Sequence, residues 1–201
     1  MRVLKAVLHP ILQHPLVFDV QERLCNNYDA VEREFHDYLI AARDVLDIGC
    51  STGACAASVF DFNRHRYVGI DIDASYVAHA ARRYPAGRFL RMDARRLQFA
   101  EESFDRVLFM GAMHHMSDDL VRECLREVRR VLRPDGRVLV GEPVFVRDWP
   151  LSTLLLRLDR GGFIRSTEGY SGLFDGFEIE RERYFSFSLH RFVSYVLRKG
   201  D

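Results

Sequence analysis

The chain has 201 residues and 48% of them are hydrophobic, enough to build one buried core without disulfide staples. Lys plus Arg and Asp plus Glu each number 29 and no stretch gathers five or six like charges, so the basic face of a phosphate-tracking protein is missing and nucleic acid is disfavoured as a partner. The four cysteines, Cys25, Cys50, Cys55 and Cys124, include no CxxC pair, which argues against a metal site and for a reduced, cytoplasmic setting.

From the N-terminus, MRVLKAVLHPILQHPLVF is broken by His9, Pro10, Gln13, His14 and Pro15, so no signal-peptide core forms. No later segment approaches the ~18–20 apolar residues of a membrane span. Residues 1–40 read as a helical cover. Short β-branched runs then mark strands at Asp44 to Ile48, Tyr67 to Ile72, Arg88 to Met92, Phe104 to Met110 and Gly136 to Gly141. Between them, Ala54 to Phe60, Ala74 to Tyr84 and Asp118 to Leu132 place apolar residues at helical spacing. Strand–helix alternation of this kind predicts a parallel, doubly wound α/β sheet. Residues 142–176 read as an insert on the substrate side, with short helices. Phe177 to Phe187 and Arg191 to Leu197 read as an antiparallel pair that closes the sheet. No linker or repeat divides residues 1–201, which are taken as one domain.

The sharpest local signal is VLDIGCSTGACA, Val45 to Ala56, a buried strand running into a glycine turn and then a helix. Gly49 and Gly53 let the backbone turn sharply and approach a ligand. A dinucleotide fingerprint from Gly49 needs glycines at 51 and 54, but Ser51 and Ala54 stand there, and no Gly-Lys-Ser/Thr follows for a P-loop. About 20 residues after the turn, YVGIDIDASYV ends its strand on Asp71, where a carboxylate can accept both hydroxyls of a ribose. Asp73 follows, either as a further ligand or as the cap of the next helix.

In order, VLDIGCSTG, YVGIDID, FLRMDA and FDRVLFMGAMHH resemble the motifs of the class I S-adenosylmethionine-dependent methyltransferases, in the small-molecule branch related to quinone biosynthesis. The resemblance covers Asp44 to Pro143. It implies a Rossmann-like, mostly parallel seven-stranded sheet with an antiparallel last strand. It also implies S-adenosylmethionine as cofactor and S-adenosylhomocysteine as product. By the same resemblance Asp47 faces the methionine end above the turn of Gly49, Cys50 and Gly53. Asp71 takes the ribose, Ile72 packs on adenine, Asp93 and Ala94 contact the adenine edge, and Met110 and Gly111 hold the amino group. Tyr28, with Phe18 in reserve, is the aromatic expected against the methionine end.

Methyl transfer from a sulfonium is an in-line displacement, so positioning supplies much of the rate. His114 is the candidate base and His115 its lesser rival, against a packing or capping role for both. Glu142 ends the fifth strand, aimed inward by Pro143 or held in a structural hydrogen bond. Arg157, Arg160 and Arg165 are available to an anionic acceptor or are salt-bridged, and Tyr170 leans on substrate or fills core. The reading is methyl transfer to a small, anionic or amphipathic metabolite, without metal. Its rivals are a nicotinamide oxidoreductase, a relative using the cofactor for non-methylating or regulatory ends, and a methyltransferase acting on protein or RNA.

Overall fold

In the computed structural model the described residues are 27–145, 162–187 and 190–200, with Leu16 and Leu156. The elements in chain order are α1 (Tyr28–Ile40), β1 (Asp44–Ile48), α2 (Ala54–Val59), β2 (Arg66–Asp71), α3 (Ala74–Arg83), β3 (Arg88–Arg91) and β4 (Phe104–Met110). A 3-10 turn (Met113–His115), α4 (Asp118–Val131), β5 (Leu132–Pro143), α5 (Thr167–Ser171), β6 (Phe177–Phe187) and β7 (His190–Lys199) complete them. The strands form one seven-stranded sheet in the order β3-β2-β1-β4-β5-β7-β6. Pairing is parallel from β3 through β5, and β7 is antiparallel to both β5 and β6. The α/β, doubly wound sheet with an antiparallel last strand is therefore as the sequence implies.

Alternation along the strands explains the layers. Leu46, Ile48, Val107 and Val140 point to the face covered by Val121, Leu125 and Val128 of α4. Val45, Leu108 and Leu139 point to the other, with Phe35 of α1, Ala56 of α2 and Ala80 of α3. β1 is buried along its whole length, as expected of a central parallel strand. α4 is amphipathic, with Ser117 accepting the Leu120 N–H at its start (3.4 Å) and Arg129 and Arg130 in its last turn, a charge order that suits the helix dipole.

One detail departs from expectation and another bears on a choice left open. β5 begins at Leu132 rather than Gly136, because Leu132 pairs with Phe104 before the register shifts to Arg137 opposite Arg106. Arg133-Pro134-Asp135-Gly136 sits inside that shift, where a proline without N–H breaks no regular ladder. α3 is capped by Asp73, whose carboxylate accepts the N–H groups of Ser75 (2.7 Å) and Tyr76 (3.4 Å). Asp73 thus caps α3, and the same residue also borders the cavity at the ends of β1 and β2. Among the described residues no helix is long and apolar enough to cross a membrane.

Candidate active site

The strand order reverses at β1, between β2 and β4, and at such a switch point the loops leaving the carboxyl ends diverge and open a crevice. A cavity of about 580 Å³ occupies it. Each sequence element contributes a wall: Asp47, Gly49 and Cys50 from β1 and its turn, Asp71 and Ile72 from β2, Asp93 and Ala94 after β3, and Met110 and Gly111 from β4.

The turn after β1 is built on β2. The N–H groups of Gly49 and Cys50 both donate to Ile70 O (2.9 and 3.0 Å). Gly49 has φ +75, and a Cβ there would lie 2.9 Å from that of Ala112, so this position takes glycine for conformation and for space. Beneath it Asp47 is 5% exposed and accepts the Tyr67 hydroxyl (2.7 Å). Tyr67 reaches it across Gly69, where a Cβ would lie 2.7 Å from the Tyr67 hydroxyl. Burial pushes the Asp47 carboxyl up to about 6; the Tyr67 hydrogen bond opposes the rise and the Asp71 charge adds to it. A desolvated carboxylate facing a cavity is a ready partner for a cation.

Asp71 links two loops. Its carboxylate accepts the N–H of Ser51 (3.0 Å) from the glycine turn and of Asp73 (2.9 Å) from the next loop. Burial raises its pKa and these N–H groups oppose the rise. The next side chain, Ile72, is 66% exposed although apolar, and it lies on the cavity wall. Asp93 is held by Arg95 through its backbone N–H (3.0 Å) and guanidinium (2.7 Å), and the guanidinium keeps its pKa below the usual carboxylate range.

Some expected site residues lie elsewhere. Gly53 shapes the turn from behind, at φ +78 against Phe89 and Tyr84. Tyr28 packs on Phe187 (centroids 5.8 Å apart) and borders a separate hollow with Ala57, Ser58 and Tyr84. Neither lines the cavity. His114 and Glu142 are also behind its wall. Glu142 is 0% exposed; one oxygen accepts the N–H groups of Ala112 (2.9 Å) and Met113 (2.7 Å), the other that of His114 (3.2 Å). His114 Nδ1 lies 2.8 Å from the second oxygen. Because a carboxylate only accepts, Nδ1 carries the proton. The structural alternative for Glu142 is thus the one observed: it anchors the loop after β4.

His115 is the imidazole on the cavity wall, its ring 4.0 Å from that of His114 between centroids. Adjacency along the chain does not tell which side of a 3-10 turn each of the two rings takes. Tyr76, Arg95, Met116, Leu120 and Cys124 also line the cavity without having been singled out. The α4 pair has a readable signal, since Leu120 and Cys124 are four apart and share a helix face. Arg165 is engaged rather than available: it donates to Met113 O (3.0 Å), Met116 O (2.6 Å) and Asp118 (2.7 Å). Tyr170 is fully buried and donates to Pro143 O (3.1 Å), so it fills core. Phe18, Arg157 and Arg160 lie outside the described residues. Among the described residues no cluster of His, Cys, Asp and Glu could hold a metal ion.

Comparison with known proteins agrees with this arrangement. A family model described as a methyltransferase domain matches residues 45–136. A probable S-adenosylmethionine-dependent methyltransferase of Mycolicibacterium smegmatis is 36% identical over 119 residues, 56% of this chain and 44% of that protein. The demethylmenaquinone methyltransferase of Beutenbergia cavernae is 37% identical over 98 residues, 49% of this chain and 40% of its own. The human eEF1A lysine and N-terminal methyltransferase is 32% identical over 108 residues, 52% of this chain and 16% of its own. The chain thus spans less than half the length of these curated relatives. In fold it is similar to a solved methyltransferase structure from Methanosarcina mazei, with TM-score 0.69 and 19% identity over 83% of this chain and 96% of that one. The ordered motifs, the switch-point cavity they line and the match over residues 45–136 show a methyltransferase domain in this chain, similar to those of S-adenosylmethionine-dependent methyltransferases.

Proposed function

We propose that this chain binds S-adenosylmethionine in the β1–β2–β4 cavity and transfers its methyl group to a small, anionic or amphipathic metabolite in the cytoplasm. The observation that carries the reading is the cavity's own chemistry: a buried carboxylate at Asp47, a second at Asp71 and an exposed apolar side chain at Ile72 line one space. These suit a ligand with an ammonium, a ribose and a flat base. The bound cofactor supplies an electrophilic methyl on a sulfonium. Asp47 pairs with the ammonium, Asp71 accepts ribose hydroxyls, Ile72 and Met92 cover the base, and Asp93 accepts its amino group. Gly111, at φ +66 with no atom nearer than 3.6 Å to a Cβ there, leaves the backbone open to close approach. His115 is the proton acceptor when the substrate brings a hydroxyl or an activated C–H, while Glu142 and His114 position the loop that carries it. A protein acceptor is the second reading, favoured by the likeness to the eEF1A methyltransferase.

Calorimetry tests the cofactor. S-adenosylhomocysteine should bind and NAD should not; NAD binding alone would overturn the reading. Asp71→Ala should weaken S-adenosylhomocysteine by about 1–3 kcal/mol through lost hydrogen bonds, and unchanged affinity would mean the ribose is held elsewhere. Incubating a lysate with methyl-labelled cofactor separates the acceptors: label in the metabolite fraction supports the first reading, label in protein the second.

A further inference from the structure

In the β1–β2 ladder Val45 lies opposite Tyr67 and Asp47 opposite Gly69. Tyr67 and Gly69 are two apart and share one face of β2, so the tyrosine reaches the diagonal Asp47 by lying over the glycine. A Cβ on Gly69 would lie 2.7 Å from the Tyr67 hydroxyl, and that hydroxyl ends 2.7 Å from Asp47 Oδ2. Phe60, Phe62 and Phe89 hold the ring, with centroids 5.9, 4.7 and 5.6 Å away. Among the described residues no other side chain donates to the Asp47 carboxylate. Around the same cavity Asp71, Asp73, Tyr76 and the three cysteines can only add negative charge, Arg95 is paired with Asp93, and His115 belongs to the turn after β4. Burial and the Asp47 charge hold the Tyr67 hydroxyl well above the ordinary tyrosine range, so it remains a donor through neutral pH.

We propose that Tyr67 is a positioning residue acting through Asp47: its hydroxyl keeps that buried carboxylate ionised at neutral pH, and so ready for the cofactor's ammonium. The ammonium half rests on the cofactor reading given above. Without the hydroxyl the carboxylate would hold its proton to higher pH, and a neutral acid offers an ammonium no opposite charge. Affinity at neutral pH is then set in part by a side chain that does not itself line the cavity.

The test is Tyr67→Phe, which keeps the ring among its three phenylalanines. In the unliganded chain the Asp47 carboxyl carbon, assigned in the NMR spectrum by its loss in D47N, should titrate at about 6. In Y67F it should titrate about one to two pH units higher, the worth of a hydrogen bond to a charged acceptor. Calorimetry with S-adenosylhomocysteine should show the Y67F deficit growing as pH falls, from under about twofold at pH 8.5 to roughly 10–100-fold at pH 5. In the D47N background Y67F should cost no further affinity. A tyrosine that only braces the fold would give the same loss at every pH, and a loss in D47N as well. Either result, or an unmoved carboxyl midpoint, would overturn the proposal. If the unaltered protein fails to bind S-adenosylhomocysteine while the midpoint still moves, the cofactor reading falls and the ammonium half with it, and Tyr67 stands as the group that sets Asp47 ionisation.

Discussion

Ser51 holds φ 50, a left-handed conformation that costs a residue with a Cβ roughly 1–2 kcal/mol. Its hydroxyl is buried with no hydrogen-bond partner among the described residues, while its backbone N–H binds Asp71. Glycine would keep that backbone bond, relieve the torsion and remove the unmatched hydroxyl, at an entropic cost of about 0.5–1 kcal/mol in the unfolded chain. Ser51→Gly should therefore stabilise the protein by on the order of 1 kcal/mol, read as a higher urea midpoint at unchanged slope. A lower midpoint would mean that the hydroxyl contributes a bond the geometry does not contain. The departure at position 51 is legible in the sequence, but its cost is not. Residue identity carries no φ, and the torsion is imposed by the anchoring of Gly49 and Cys50 on Ile70 and of Ser51 on Asp71.

The loop after β4 is an element built by one distant side chain. Glu142, from the end of β5, accepts three consecutive backbone N–H groups and His114 Nδ1, so the walls formed by Met110, Gly111 and His115 hang on it. Glu142→Gln keeps one oxygen for Ala112 and Met113 but turns an amide NH2 toward His114. The expected outcome is a switch of His114 from the Nδ1–H to the Nε2–H tautomer, visible in its ring nitrogen shifts, with a loss of about 1–3 kcal/mol for the N–H left without an acceptor. An unchanged tautomer would show that Glu142 does not orient the ring. Elements of this kind divide what a sequence can tell. The run from Val45 to Ala56 is contiguous, and its strand, turn and helix are legible because each is set by neighbours a few residues away. Glu142 and His114 are 28 residues apart, and their pairing depends on β4 and β5 aligning Met110 with Gly141. Strand ends mark such residues as candidates without saying which way they face. The same holds for Tyr28, whose place is fixed by α1 docking on the far strands through Glu34 and Arg181 (2.9 Å).

At the scale of the whole molecule, β1 carries Asp47 into the centre of the sheet, flanked by β2 and β4, so its protonation is coupled to global unfolding. Its folded pKa of about 6 stands above the ordinary aspartate value of 3.8, and the sign follows from counting protons. Between those values the folded state holds a proton that the unfolded state has released, so stability falls as pH rises through that window and stays lower above it. With 1.36 kcal/mol per pKa unit, the loss is about 3 kcal/mol at most. The ion pair at the other end of β1, a buried Asp44 with an exposed Arg66, acts oppositely: the Arg66 guanidinium lowers the Asp44 pKa, and that stability is lost only as pH falls below the ordinary carboxylate range. Asp47→Asn can still accept the Tyr67 hydroxyl through its amide oxygen. It should raise the melting temperature at pH 7, flatten the profile between pH 4 and 6, and weaken S-adenosylhomocysteine by removing the charge opposite its ammonium. In the unaltered protein the same carboxylate should make the melting-temperature rise caused by S-adenosylhomocysteine larger at pH 7 than at pH 5, because the ligand's ammonium binds the ionised form. Parallel pH profiles for the two proteins, with and without ligand, would rule Asp47 out as the group that trades stability for binding.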